Sequence, residues 1–124
     1  ICLYAPTFRE TFNLSEANLN FAELKKILNK KFGGDWEILL RYHSVVRHNK
    51  ELLIDIDNCI NVSDYPNIED LMFVSDCGIT DYSGWICEYI LTKKPAFIYA
   101  YDYDFYVRAV YGDNVVLMLK LSYP

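Results

Sequence analysis

Short, uniformly apolar runs alternate along the chain with longer amphipathic stretches, and the two patterns predict different elements. Ile1 to Ala5 (ICLYA) is apolar throughout and closes at Pro6, as a buried strand does. Asn20 with Glu23 three residues on is a helix-start signal of the capping-box kind. Phe21, Leu24, Leu28 and Phe32 then recur at helical spacing until Gly33-Gly34 ends the run. Trp36 to Tyr42 (WEILLRY) predicts a second strand. A third apolar stretch covers Leu52 to Val62, with Cys59 to Val62 as its strand. Pro66-Asn67 starts another helix, with Asn67 as cap, Asp70 at its third position, and Ile68, Leu71 and Met72 facing inward. Cys77 to Thr80 predicts a fourth strand, Ser83 to Thr92 a helix, and Pro95 to Ala100 (PAFIYA) a fifth strand. A short helix is expected over Tyr103 to Val110.

Strands that are apolar throughout and alternate with helices indicate a parallel sheet covered on both faces. Right-handed crossovers make such a sheet doubly wound. The expected fold class is therefore α/β with a doubly wound, mainly parallel sheet, and 124 residues suit one domain. The net charge of −5 argues against a nucleic-acid binder, which needs a basic stripe to displace counterions. Lys25, Lys26, Lys30 and Lys31 read as a solvated helix face in preference to a contact with acidic lipid or polymer. Cys2, Cys59, Cys77 and Cys87 form no CxxC pair and have no histidine at metal-ligand spacing, so no metal site is expected and a reduced, cytoplasmic setting follows. No apolar run approaches the roughly 20 residues that span a bilayer. The chain opens on Ile1 within a strand-like run and stops at LSYP, so a piece of a longer protein is expected.

Ligands of parallel α/β sheets bind beyond the carboxyl ends of the strands. The residues there are Thr7 and Arg9; Arg41, Tyr42 and His43; Ser63 and Asp64; and Thr80, Asp81, Tyr82, Ser83 and Gly84. A strand ending in ITDYSG that turns straight into a helix offers backbone N–H groups, hydroxyls and a glycine that lets a ligand approach, the ingredients of a phosphate site. Asp81 or Ser83 capping the helix explains the same residues. His43, near Arg41 and Arg47, suits a base or a diphosphate partner, or is a satisfied histidine at a strand end, whereas His48 reads as surface. Glu88 lies on a mostly apolar helix and needs a partner, either a ribose diol, a lysine or solvent. GxGxxG, P-loop, GxSxG and HExxH motifs are absent, which weakens dinucleotide, NTPase, serine-hydrolase and zinc-protease functions.

Three strings, LYAPTFR, LLRYHSVVR and VSDYPNIEDLMFVSDCGITDYSGWICEYILTKKPAFIYAYD, together resemble the CDP-glycerol glycerophosphotransferases, the teichoic-acid polymerases and primases of Gram-positive cell walls. The resemblance runs collinearly over positions 3 to 104. It implies the Rossmann-like, donor-binding half of a GT-B fold, with residues 1–124 forming one CDP-alditol-binding domain of a longer two-domain enzyme. His43 matches the histidine of the family's R-x-H-P element and is implied to be catalytic, with Arg41 as its arginine. Asp81, Tyr82 and Ser83 match the TDYSS element, implied to hold the diphosphate and glycerol phosphate together with Thr80 and Gly84. Glu88 falls where the family has an acidic residue, and ribose contact there is an analogy with other GT-B enzymes. Thr7 and Arg9, from their place after the first strand, complete the expected substrate-binding set. Three departures stand out: Ser44 for the proline, Gly84 for the second serine, and LSYP for an LPFP-like turn.

The implied partners are CDP-glycerol or a related CDP-alditol, and a polyol-phosphate polymer held by an amino-terminal domain beyond this chain. The resemblance requires no cofactor and leaves room for Mg²⁺. It also implies a full-length protein peripheral on the inner face of the cell membrane. Two alternatives stay open on the residues alone: a GT-B glycosyltransferase domain using a nucleotide-sugar, and a non-enzymatic α/β interaction module.

Overall fold

A computed structural model describes residues 1–7, 19–43 and 56–104. Arg9, Ser44, Arg47, His48, the stretch 52–55, the LSYP ending and all but the first two residues of the helix expected over Tyr103 to Val110 lie outside the described residues.

Among the described residues, five strands form one sheet: β1 (Cys2–Tyr4), β2 (Ile38–Leu40), β3 (Ile60–Asn61), β4 (Cys77–Thr80) and β5 (Ala96–Ile98). Their order is β3-β2-β1-β4-β5, and every pairing is parallel. Cys2 pairs with Ile38 on one side and Cys77 on the other, so β1 lies at the centre. Among the described residues, three helices pack on the sheet: α1 (Phe21–Phe32), α2 (Ile68–Val74) and α3 (Trp85–Ile90). The two-residue side-chain alternation of strands sorts the core into two layers. Cys2, Tyr4, Ile38, Leu40, Cys77 and Ile79 pack beneath Phe21 and Leu28 of α1. Leu3 and Leu39 face the other way, toward Leu71 and Met72 of α2 and Trp85, Ile86 and Tyr89 of α3.

The helix signals in the sequence act as local chemistry dictates. The Asn20 side chain accepts a hydrogen bond from the Glu23 N–H at 3.0 Å, satisfying one of the donors a helix start leaves open. Gly33 adopts φ 74°, which favours glycine, and α1 stops there. Asn67 caps α2 from Glu69 N–H at 3.2 Å, one position earlier than the Asp70 spacing suggests. Lys94 closes the other end of α2, its ammonium donating to the carbonyls of Met72, Phe73 and Ser75 at 3.1, 2.8 and 2.7 Å. A cation at a helix carboxyl end meets the negative end of the helix dipole.

Several expectations change in extent. The strand expected over Trp36 to Tyr42 covers only Ile38–Leu40. The outer strands are also shorter than their apolar runs, and Ile60, Phe97 and Ile98 are exposed. An edge strand has one ladder partner and less cover, so its apolar residues are not all enclosed. The helix expected over Ser83 to Thr92 occupies only Trp85–Ile90, with Gly84 and Leu91 as its caps. After it, Lys93 adopts φ 61° in a tight turn into β5.

Gly78 decides how closely α3 approaches. A Cβ there would lie 3.0 Å from Trp85 Cη2 and 3.0 Å from Tyr89 Cε1. The bare backbone thus lets both rings rest on β4, and they meet each other edge-on at 5.4 Å. The Tyr89 hydroxyl, enclosed by this packing, shares a 3.0 Å hydrogen bond with Ser75 Oγ.

Candidate functional site

Connections from β1 and β4 leave in opposite directions, toward β2 and β5, so a topological switch point lies between these two neighbours. A crevice at the carboxyl ends of such strands is where this architecture binds ligands. The chain segments beyond β1 and β4 are Ala5 to Thr7 and Asp81 to Gly84.

Hydrogen bonds join these two segments tightly. Asp81 Oδ1 accepts from Thr7 N–H at 2.8 Å, from Thr7 Oγ1 at 2.6 Å and from Tyr82 N–H at 2.6 Å. The Ala5 carbonyl accepts from Thr80 Oγ1 at 3.0 Å and from Trp85 Nε1 at 2.9 Å. Thr80 and Asp81 are 0% and 3% exposed, so both side chains point into the protein. Tyr4 lies buried below. Burial, and next the Asp81 charge, raise its phenol far above the ordinary range. Beyond Asp81 the surface opens. Ser83 is half-buried and Gly84 exposed. Gly84 is the N-cap of α3 at φ −65°, ψ −19°, and among the described residues no side chain, Asp81 and Ser83 included, caps the helix. A Cβ on Gly84 would meet nothing within 4 Å, so the space over this turn is free of described protein atoms.

The end of β2 contributes a different chemistry. Arg41 is half-buried and its Nη2 donates to the Tyr65 carbonyl at 3.4 Å. Tyr42 turns inward, its N–H donating to Ser63 Oγ at 2.9 Å, and burial pushes its phenol up to about 12. Ser63 is itself oriented by Asn61 Oδ1, which accepts from its hydroxyl at 2.6 Å and its N–H at 3.1 Å. His43 follows with its side chain exposed. Arg41, His43, Ser83 and Gly84 therefore share the carboxyl edge of one sheet. Glu88 is exposed one helical turn into α3.

A feature missed in the sequence lies beyond β5. The Tyr82 hydroxyl donates to Asp102 Oδ1 at 3.0 Å, and its ring lies 6.5 Å from that of Tyr103. Tyr99 and Tyr101 stack obliquely at 5.3 Å. These rings wall the β4–β5 side of the edge. Their sequence signal is the run YAYDYD directly after the fifth strand, a dense cluster of hydroxyl-bearing aromatics at a strand end. Among the described residues, no group of three or more His, Cys, Asp or Glu side chains is placed to hold a metal ion. Among them also, no helix is long and apolar enough to cross a membrane.

Residues 1–118 match the family model described as CDP-Glycerol:Poly(glycerophosphate) glycerophosphotransferase. The chain is similar to a teichoic acid poly(glycerol phosphate) polymerase of Staphylococcus epidermidis, at 37% identity over 100% of this chain and 18% of that protein. It is likewise similar to a teichoic acid ribitol-phosphate primase of Bacillus spizizenii, at 36% identity over 86% of this chain and 27% of the primase. Among solved structures it resembles the wall teichoic acid polymerase TagF, with a TM-score of 0.62 and 35% identity over 90% of this chain and 27% of that one. The chain thus spans less than a third of these relatives' lengths.

Proposed function

Because the chain belongs to the CDP-glycerol:poly(glycerophosphate) glycerophosphotransferase family, we propose that it is the donor-binding domain of a longer enzyme that transfers glycerol phosphate from CDP-glycerol to a teichoic-acid-like polymer. The observation that supports this most is the shared sheet edge. A cationic and imidazole side, Arg41 and His43, flanks a switch-point crevice whose far side is the turn Ser83-Gly84. A diphosphate needs positive charge and donors on both sides, and this edge supplies them.

In the reaction, an acceptor hydroxyl attacks the phosphorus of the glycerol phosphate. The bond from that phosphorus to the bridging oxygen breaks, CMP leaves with the electron pair, and the hydroxyl loses its proton. Arg41 and the N–H groups of the turn after β4 balance the charge that grows on the departing phosphate. His43 contacts the diphosphate or takes part in the proton transfer. The exposed Glu88 serves the ribose, and Tyr82 borders the pocket. The acceptor polymer binds outside this chain, and the full-length protein works in the cytoplasm against the inner face of the membrane.

His43→Ala in the full-length protein tests this. Loss of a group engaged in proton transfer lowers turnover by roughly 10²- to 10⁴-fold. The side chain is exposed, so melting temperature should hardly move. Near-normal turnover with CDP-glycerol would remove His43 from the mechanism.

A further inference from the structure

We propose that Asp81 is a positioning residue of this site, acting through Thr7 to latch the segment beyond β1 onto the turn beyond β4. The inference rests on the donor-site function proposed above and assigns Thr7 and Asp81 a part distinct from direct ligand contact.

Three donors converge on one carboxylate oxygen, at 2.8, 2.6 and 2.6 Å, and two of them come from Thr7, 74 residues away in sequence. Oδ1 of Asp81 is therefore occupied by protein donors. Burial to 3% exposure makes each of these bonds stronger than it would be in water. The third donor, Tyr82 N–H, belongs to the turn that leads to Ser83 and Gly84, so the same oxygen fixes where that turn begins. A second tie runs in parallel through the Ala5 carbonyl, which holds Thr80 Oγ1 and Trp85 Nε1. The β1–β4 ladder itself ends with Ala5 N–H on Ile79 O at 3.1 Å. The latch extends this rigid pairing past the ladder to the rim of the crevice. Thr7 suits the task because it supplies a backbone and a side-chain donor from one residue.

A latch of this kind acts on ligand binding through geometry. Displacing a preorganised donor by an ångström is enough to weaken the interactions it makes. Breaking the latch should therefore raise KM for CDP-glycerol more than it lowers kcat, since the reacting groups on the β2 side stay where they are.

The test is a kinetic series in the full-length protein: Thr7→Val, Thr7→Ser, Asp81→Asn, Asp81→Ala, the double variant Thr7→Val/Asp81→Ala, and His43→Ala as reference. Thr7→Val keeps the shape and the N–H but removes the hydroxyl. It should raise KM about threefold or more, and Thr7→Ser, which restores the hydroxyl, should return KM to near its original value. Asp81→Ala should raise KM about tenfold or more, and the double variant should be no worse than Asp81→Ala alone, because partners in one network are not additive. Asp81→Asn retains an acceptor oxygen and should fall between the parent and Asp81→Ala, which keeps the test usable where the alanine variant does not fold. Multiplying effects of Thr7→Val and Asp81→Ala, or an unchanged KM in Thr7→Val, would overturn the latch. Loss of turnover in His43→Ala beside a silent Thr7 and Asp81 would sink the latch alone. Silence at all three positions would sink the donor-site function with it.

Discussion

The two sides of the crevice are built in contrasting ways. On the β4 side, the chain beyond the strand is fixed by buried backbone and side-chain bonds, with Thr80 and Asp81 enclosed and a bare Gly78 letting α3 press onto the sheet. On the β2 side, among the described residues, Arg41 N–H on the Tyr4 carbonyl and Tyr42 N–H on Ser63 Oγ hold the strand end, with Arg41 half-buried and the following His43 exposed. The first side offers a backbone rim, the second charged side chains. A site for a diphosphate uses both, because fixed N–H groups define where the anion rests while longer side chains follow charge as it shifts between groups.

The largest expected effect comes from Gly78→Val. Its Cβ would overlap the Trp85 and Tyr89 rings at 3.0 Å, and the backbone carrying them must move. Overpacking of this kind costs about 3 kcal/mol. Urea denaturation should show that loss, and a stability within about 0.5 kcal/mol of the parent would mean that the β4 side is no more rigid than the β2 side. Ser63→Ala comes next. It strands the buried Tyr42 N–H without its acceptor, at about 1–3 kcal/mol, and should lower His43-dependent turnover as the strand end loosens. Unchanged stability would show the β2 side to be held by something other than this hydrogen bond. The smallest effect on the fold belongs to Gly84→Ser. The backbone there is one that any residue adopts and the space is open, so stability should stay within about 0.5 kcal/mol. The added hydroxyl at the rim should lower KM for CDP-glycerol, and a rise in KM would place the ligand's phosphate away from this turn.

The sequence conveyed the elements better than their connections. Asn20 and Asn67 announce their helices because a capping side chain bonds backbone only two or three residues away, and such local chemistry can be read from spacing. The central strands β1 and β4 were legible because both their faces are covered, which leaves uninterrupted apolar runs. The edge strands were overextended, since apolar residues such as Phe97 and Ile98 look the same in sequence whether or not anything covers them. At the site, placing His43 and Ser83 at strand ends followed from the α/β pattern. What Thr7 and Asp81 do with each other was hidden, because their bond joins residues far apart in the chain and depends on strand order. Asp102 went unnoticed for the same reason, its partner Tyr82 lying 20 residues away across β5.

The central claim, that CDP-glycerol occupies the sheet edge between these two sides, is tested most directly by hydrogen–deuterium exchange of the full-length protein with and without CDP-glycerol. The account predicts slowed exchange in the amides of residues 41–43 and 82–86, and little change in residues 72–75, where α2 ends before β4 begins. Protection confined to other parts of the protein, with both of these segments unchanged at saturating ligand, would contradict it.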